Sequence, residues 1–342
     1  MTIEFERRVE YSKLLNPMDN FKEAVTAIEF RTDPLTKDMG TLLEFRWKSA
    51  GKPDLSGLIA KSLERDCPFC PGAVEKVTPK FPQDLFPEGR IKAGEAIGFP
   101  NALPYVPYSA LAVVSKQHFV GLTEFTDDML ADAFLLGQTY LKRVLEYDPQ
   151  AKYCVVNWNF LPPSSSSQLH PHIQLLGGDF PMPYHKNMLE ACENYHSQNG
   201  TSYWPDFIAE EKRLNERYIA TTGDIGWFTS FVPRSWQMDV LAVFQGEESF
   251  LALSAKNIRD FCSGLRKVFT YMDGQGYYSF NLCIYSGVIG DSHYWTNARL
   301  VQRAYYPPLE QSDCGPFTLL LDVNPMLKRP EEVCKELKAY FD

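Results

Sequence analysis

Long hydrophobic runs are missing from this sequence of 342 residues. No run approaches the roughly 20 apolar residues that a membrane-spanning helix needs, and residues 1–20 alternate charges without the apolar core of a signal peptide. Basic residues are in the minority, with 34 Lys and Arg against 43 Asp and Glu, so the surface as a whole repels nucleic acid. We therefore expect a cytoplasmic protein that binds neither membrane nor nucleic acid.

Cysteines and common nucleotide motifs are also scarce. Eight cysteines in 342 residues are too few for a disulfide scaffold, and most lie singly in apolar segments, which is typical of buried thiols. The exception is Cys67-Pro-Phe-Cys70, a spacing that in a cytosolic chain favours metal binding or redox chemistry. The chain has no GxxxxGK[ST] motif and no GxGxxG after a strand, so neither a P-loop nor a dinucleotide-binding fold is supported.

What is present describes a folded globular protein with many aromatic side chains. Apolar residues make up 44% of the chain, aromatic residues 14% and charged residues 23%, a composition that excludes disordered and collagen-like chains. At roughly 150 residues per domain, the length predicts about two domains.

A pattern of elements recurs after about 130 residues. Each copy has an apolar strand pattern, an amphipathic helix pattern and two further strand patterns. They lie at 108–114, 126–145, 153–159 and 168–174 in the first copy, and at 238–244, 254–272, 278–284 and 298–302 in the second. Such patterns are common, so chance similarity is the alternative. A true repeat predicts two α+β halves, here 1–200 and 201–342, with residues 180–223 in the connection between them.

Two of the six histidines lie close together in His170-Pro-His172. In an extended segment His170, His172 and Gln174 point to the same face. The preceding run 162–167 is rich in serine, and its backbone N–H groups could surround an anion. The alternatives are a pair of core histidines and a solvated loop. The last strand of the second copy has no histidine, so we expect any chemistry in the first half.

A metal ligand set can be assembled from these motifs. Cys67, Cys70, His118 and His170 would form a tetrahedral Cys₂His₂ set suited to zinc, although spacing alone does not select His118. An unliganded pair of thiols is the alternative. With His170 fixed by a metal, His172 would be held rigidly, which suits a nucleophile toward phosphorus. The groups that could meet a phosphate are the serine run 164–167, Asn159, Gln174, Arg31 and Arg46.

Together the motifs resemble the galactose-1-phosphate uridylyltransferase branch of the histidine-triad superfamily, whose hallmark is His-x-His-x-Gln. Arg31-Thr-Asp-Pro-Leu-Thr36 is similar to its N-terminal motif, and Cys67-Pro-Phe-Cys70 to its zinc-binding CxxC. The positions matching its other site residues are Asn101 for the nucleoside, His118 for the third zinc ligand, and Asn159 and Ser167 for the phosphates.

This resemblance implies two α+β histidine-triad-like halves with antiparallel sheets and packed helices, the second half degenerate. It also implies a zinc cofactor, a homodimer, and transfer of a nucleoside monophosphate through a covalent nucleotidyl-histidine on His172. An amide at Gln174 cannot donate a proton as an imidazolium can, so transfer from low-pKa phosphate leaving groups is favoured over hydrolysis. The implied catalytic residues are His172, Gln174 and Ser167, and the implied nucleotide-binding residues are Asn101, Asn159, Ser165, Ser166, Arg31 and Arg46.

The substrate stays open at this point. A UDP-hexose, an ADP-sugar and a dinucleoside polyphosphate are all compatible with the resemblance. The residues before Tyr306-Pro-Pro308 include no histidine, so the second metal site of the branch is not expected, and the altered segment 317–324 does not indicate galactose. A non-catalytic nucleotide-binding protein is the main alternative function, and a nucleotide hydrolase, which Gln174 disfavours, is a further one.

Overall fold

The structure, a computed structural model, describes residues 3–43, 51–307 and 310–342. In these ranges the chain forms sixteen strands. They are β1 (Glu6–Asn16), β2 (Lys22–Thr32), β3 (Met39–Leu42), β4 (Ile91–Ala93), β5 (Ala96–Pro100), β6 (Tyr108–Val113), β7 (Tyr153–Phe160), β8 (His172–Gly178), β9 (Tyr218–Thr222), β10 (Ile225–Thr229), β11 (Asp239–Phe244), β12 (Ser279–Tyr285), β13 (Asn297–Arg303), β14 (Tyr305–Tyr306), β15 (Gln311–Ser312) and β16 (Val323–Met326).

Eight α-helices connect or follow these strands within the same described ranges. They are α1 (Ser56–Leu63), α2 (Val74–Val77), α3 (Asp127–Tyr147), α4 (Pro183–Asn199), α5 (Tyr203–Leu214), α6 (Ala255–Gly274), α7 (Pro316–Leu320) and α8 (Pro330–Lys338). None of the described helices combines the length and the apolar character needed to cross a membrane.

The main sheet contains the predicted duplication. Its ten strands run β4-β5-β6-β8-β7-β12-β13-β11-β10-β9, and every neighbouring pair is antiparallel. From each edge toward the middle the two halves have the same order, and they meet where β7 pairs with β12. The division at residue 200 stays a prediction, because strands from both sides of it belong to this one sheet.

One face of the main sheet holds the largest core. The long helices α3 and α6 pack on it, each starting at a capped residue: Thr126 accepts a hydrogen bond from a backbone N–H of α3, and Ser254 does so for α6. Side chains alternate along the strands, so Trp158 of β7 points into this core together with Phe134 and Phe269 of the helices. The intervening residues of each strand point to the opposite face.

The opposite face differs between the two halves. In the second half it is covered by α4 and α5, whose buried side chains Tyr203, Trp204 and Phe207 pack with Phe228 of β10. The predicted connection 180–223 is therefore a pair of packed helices followed by β9. In the first half α4 and α5 are absent from this face, and polar residues of β7 and β8 lie on it.

A smaller sheet joins the two ends of the described chain in the order β1-β2-β3-β16, with β16 parallel to β3. In its β1–β2 hairpin, β1 is exposed along most of its length and β2 mainly in its first half, and the exposed side chains include the apolar Tyr11 (68% exposed) and Met18 (92% exposed). Exposed apolar surface of this kind is typical of an interaction surface.

Candidate active site and metal centre

The four predicted metal ligands come together at one end of β6 and β8. The Sγ of Cys70 lies 3.3 Å from Nδ1 of His118 and 3.7 Å from Nδ1 of His170, and the Sγ of Cys67 lies 3.6 Å from Nδ1 of His170. All four ligand atoms lie within 4.8 Å of one another. Zinc bonds of about 2.0–2.3 Å in a tetrahedron place neighbouring ligand atoms about 3.5 Å apart. The donor set and its spacing therefore fit a tetrahedral metal ion.

In both His118 and His170, Nε2, the ring nitrogen that faces away from the thiols, already makes a hydrogen bond. Nε2 of His170 donates to the carbonyl of Ser115 at 2.7 Å. Nε2 of His118 lies 2.7 Å from Oγ of Ser62, whose own O–H donates to the carbonyl of Ile59, so His118 is the donor. Both Nδ1 atoms consequently keep their lone pairs for the sulfur side. Burial lowers the pKa of His170 to about 4, which keeps this ring neutral and able to coordinate.

The thiol of Cys70 is held in the protonated form when no metal is bound. Burial, and next the neighbouring Cys67, raise the pKa of Cys70 to about 11. A cation at this position would displace the proton of Cys70, because thiolate is the form that coordinates. These four residues can hold a metal ion, and the ion would then link the CxxC loop to the segment that leads into β8.

His172 is the first residue of β8. This start is later than the predicted strand at 168, because Pro171 has no N–H for a neighbouring strand and residues 162–164 form a 3-10 turn. Nδ1 of His172 donates to the carbonyl of His170 at 2.9 Å. Burial lowers the pKa of His172, so the ring is neutral and its Nε2 carries the free lone pair. This is the tautomer that a nucleophilic imidazole requires.

Side-chain amides lie beside His172 on the same face. Gln174 follows it in β8 and is paired with Asn157 of β7, whose Nδ2 lies 3.4 Å from Oε1 of Gln174. The same Nδ2 lies 3.3 Å from Oδ1 of Asn159. The structure therefore brings the predicted residues Gln174 and Asn159 together through Asn157. The prediction omitted Asn157, although its position two residues before Asn159 placed it on the same face of the strand.

The serine run forms the turn between β7 and β8. The hydroxyl of Ser164 donates to the carbonyl of Leu161 at 2.7 Å, and the hydroxyl of Ser166 donates to the carbonyl of Gln168 at 2.8 Å. Ser165 and Ser167 are exposed. Ser165 and Ser167 are thus free to meet a ligand, whereas the hydroxyl protons of the other two serines stabilise the turn.

Phe69 and Val113, two neighbours of His172, line a cavity of about 300 Å³ whose walls also include Glu95 and Lys116. Phe69, Val74, Ile97 and Val113 form its apolar part. The ring of Phe69 contacts the ring of His172 edge on, with 5.1 Å between the centroids. The prediction named the CxxC motif but not Phe69 inside it as a site residue.

Asn101 lies just beyond the end of β5. Its side chain accepts a hydrogen bond from the N–H of Leu103 and lies 3.4 Å from Oγ of Ser109, so it stabilises the turn after the strand. Its contact with a nucleoside stays a prediction. Arg46 lies outside the residues that the structure describes.

Arg31 is located elsewhere, in β2 of the smaller sheet. Its fully buried guanidinium donates to Glu29 at 2.8 Å and to both oxygens of Glu331 at 2.8 and 3.1 Å, and it stacks over the ring of Phe231. The structure does not bring Arg31 together with His172, and its role in nucleotide binding stays a prediction.

The structure gives Arg31 a structural role that can be measured. Arg31→Met leaves Glu29 and Glu331 without one of their buried partners, so we expect a loss of about 3–5 kcal/mol in the free energy of unfolding. Urea titration followed by circular dichroism measures this loss. A variant that unfolds like the wild type would contradict the structural role, and weaker nucleotide binding by the folded variant would support the predicted one.

Comparison with known proteins places the chain in context. No known family model matches the sequence. An uncharacterized protein from Archaeoglobus fulgidus is 30% identical over 348 residues, covering 99% of each chain. The structure of ADP-glucose phosphorylase from Arabidopsis thaliana, solved with bound ADP-glucose, matches with a TM-score of 0.70 and 15% identity over 91% of this chain and 98% of that one.

Two further solved structures share the fold. A GalT-like protein from Arabidopsis thaliana matches with a TM-score of 0.69 and 15% identity, over 90% of this chain and 98% of that one. A uridylyltransferase matches with a TM-score of 0.67 and 17% identity, over 91% of this chain and 97% of that one. The predicted fold, a duplicated α+β architecture with antiparallel sheets and packed helices, is confirmed, and it is shared with these structures.

Proposed function

The chain belongs to one protein family with the uncharacterized Archaeoglobus fulgidus protein, and from its fold and site we propose that it is a nucleotidyltransferase or phosphorylase acting through a covalent nucleotidyl-His172. The observation that carries this proposal is the state of His172. Its Nδ1–H is committed to a backbone carbonyl, so its Nε2 lone pair is fixed and free to attack.

The reaction follows from this geometry in two displacements. In the first, Nε2 of His172 attacks the α-phosphorus of a nucleoside diphosphate derivative, the N–P bond forms, and the P–O bond to the leaving phosphate breaks. The positive charge that develops on the ring is stabilised by the carbonyl that accepts the Nδ1–H. In the second, a phosphate oxygen of the acceptor attacks the same phosphorus and the N–P bond breaks.

Gln174 decides which leaving groups depart. An amide can donate a hydrogen bond to the phosphoryl oxygens but cannot supply a proton. A sugar phosphate or nucleotide leaves readily as an anion, whereas an alkoxide needs protonation. We therefore propose phosphate-bearing donors and acceptors, with ADP-sugars, UDP-sugars and dinucleoside polyphosphates as the candidates.

We propose zinc as the metal of the Cys₂His₂ centre formed by Cys67, Cys70, His118 and His170. The mixed sulfur and nitrogen donors and their tetrahedral spacing support zinc. With all four positions taken by the protein, the ion would have a structural role. His170 then fixes the carbonyl that orients His172.

The cavity lined by Phe69 is proposed to hold the base of the nucleotide. Phe69→Ala is expected to weaken nucleoside monophosphate binding about 10-fold or more, because stacking of a base on an aromatic ring contributes about 1–3 kcal/mol. Calorimetry measures this change. Phe180→Ala removes an exposed phenylalanine (57%) as a matched control, and unchanged affinity in Phe69→Ala with normal metal content would contradict the assignment.

The proposed reaction has a direct test. The purified protein is incubated with UDP-glucose, ADP-glucose or diadenosine tetraphosphate and analysed by intact mass for an added UMP or AMP. We expect an adduct with at least one donor and its loss on adding a phosphate acceptor. Binding without an adduct would support a non-catalytic nucleotide-binding protein, and release of free nucleotide without an acceptor would support a hydrolase.

We further propose a cytoplasmic homodimer, with 1–200 as the catalytic half and 201–342 as the degenerate half. The free cysteines of the described chain support a reducing compartment.

The exposed β1–β2 hairpin is the proposed dimer surface. Residues 6–32 contain five acidic and five basic residues in a chain of net charge −9, so this hairpin can face a second copy without net repulsion. Sedimentation at micromolar concentration distinguishes dimer from monomer.

A further inference from the structure

The two halves of the main sheet are joined by a pair of asparagines. Asn281 of β12 lies directly opposite Asn159 of β7, in the strand pairing that connects the two halves of the main sheet. Nδ2 of Asn281 lies 2.7 Å from Oδ1 of Asn159 and 3.0 Å from the carbonyl of Ser164 in the serine turn. One residue of the degenerate half thus contacts both parts of the site that are proposed to meet the phosphates.

The direction of these hydrogen bonds is fixed from outside the site. Nη1 of Arg303 lies 2.8 Å from Oδ1 of Asn281, and a guanidinium has only donors. Arg303 is itself held by Asp313, whose carboxylate accepts from Nε and Nη2. The oxygen of the Asn281 amide must therefore face Arg303, and its NH₂ must face Asn159 and Ser164.

The orientation of the Asn281 amide determines the orientation of the amides beside His172. Oδ1 of Asn159 accepts from Asn281, which turns the Nδ2 of Asn159 away from Asn281. Oδ1 of Asn159 also faces Nδ2 of Asn157 at 3.3 Å, and the same Nδ2 faces Oε1 of Gln174 at 3.4 Å, so the Nε2 of Gln174 is left free. Neither Nδ2 of Asn159 nor Nε2 of Gln174 has a partner among the described residues.

We infer that Asn281 and Arg303 are positioning residues of the first-half site: through the hydrogen-bond chain they make Asn159 and Gln174 present N–H donors toward a phosphoryl group. The inference rests on the proposed function, which places the phosphoryl group beside His172. With the amides reversed, carbonyl lone pairs would face the phosphoryl oxygens and repel them. The degenerate half therefore contributes to the site through this hydrogen-bond chain.

Asn281→Asp tests the inference with an isosteric change. A carboxylate still accepts from Arg303 but cannot donate to Asn159, so the amide of Asn159 reverses and its donor is withdrawn from the substrate. Since a hydrogen bond to a charged group is at stake, we expect adduct formation on His172 to slow about 10- to 100-fold. Binding of a nucleoside monophosphate should weaken, whereas binding of the nucleoside should not.

A matched pair of variants tests whether Arg303 fixes the orientation of the Asn281 amide. Arg303→Lys keeps a donor-only group next to Asn281 and is expected to lose much less rate than Arg303→Gln, whose amide can face Asn281 with either its N–H or its C=O. Asn215→Asp adds the same negative charge at an exposed helix end and serves as the control. Melting temperatures identify variants that have simply lost stability.

The outcomes separate the two proposals. Monophosphate affinity and adduct rate that are unchanged in Asn281→Asp would overturn the inference while leaving the proposed function intact. A wild type that binds nucleotides without forming an adduct would overturn the proposed function, and the affinity difference between nucleoside and monophosphate would still decide the inference. A wild type that binds no nucleotide would overturn both.

Discussion

Replacing His172 with alanine is expected to abolish the nucleotidyl adduct and to lower the rate of nucleotidyl transfer by about 10³-fold or more. No other imidazole lies on the open face of β8, and the neighbouring amides of Asn157, Asn159 and Gln174 are poor nucleophiles. The adduct is measured by intact mass after mixing with each nucleotide donor, and transfer is measured by product formation with a phosphate acceptor.

The control for this experiment removes a histidine outside the site. His196→Ala takes away an imidazole that stacks on His293 at 3.8 Å between centroids, and it should transfer nucleotides at the wild-type rate. His172→Asn should still bind nucleotide, since the cavity and the amide donors remain. An adduct of undiminished yield in His172→Ala, mapped by peptide mass to another residue, would refute the role of His172.

The architecture was predictable because its signals are local. Apolar alternation in 108–114 and 238–244 and the capping residues Thr126 and Ser254 each depend on a few neighbouring positions. The duplication then followed from their spacing. The sequence could not indicate that β7 and β12 join the halves into one sheet, since strand pairing depends on contacts more than a hundred residues apart.

The site was predictable where chemistry-bearing residues lie close together in the chain. Cys67 and Cys70 are three residues apart, and His170, His172 and Gln174 form one short motif, whereas His118 could be assigned only through the resemblance. Arg31 shows the limit of this reasoning. Its half-buried partner Glu331 is 300 residues away, so an arginine in a recognisable motif could not be identified from sequence as the buried member of an ion pair.

The role of Asn281 could not be predicted from the sequence, because it depends on which strand lies beside β12. Its strand follows the helix of the second copy just as β7 follows that of the first, so the repeat indicated its strand but not its partner. The pairing of Asn281 with Asn159 depends on how the halves meet, and the direction of the amides depends on Arg303 and Asp313. Such directions follow only from a complete hydrogen-bond network.

Cys70→Ser is expected to remove the bound metal and to lower the melting temperature by about 5–10 °C, as the loss of several kcal/mol of binding free energy predicts. Cys70 lies near both imidazole ligands, so its loss opens the centre on two sides. Plasma mass spectrometry should find about one zinc ion per wild-type chain and a small fraction of this in the variant.

Loss of the metal should also reduce nucleotidyl transfer, because the carbonyl that orients His172 belongs to the ligand His170. The effect of Cys70→Ser therefore differs from that of His172→Ala, because the stability and the transfer rate fall together. Binding of the base in the cavity beside Phe69 also weakens, because the CxxC loop is no longer held by the metal. Cys314→Ser removes a free thiol near α7 and should change neither metal content nor melting temperature. A metal-free wild type with full stability and activity would refute the metal centre.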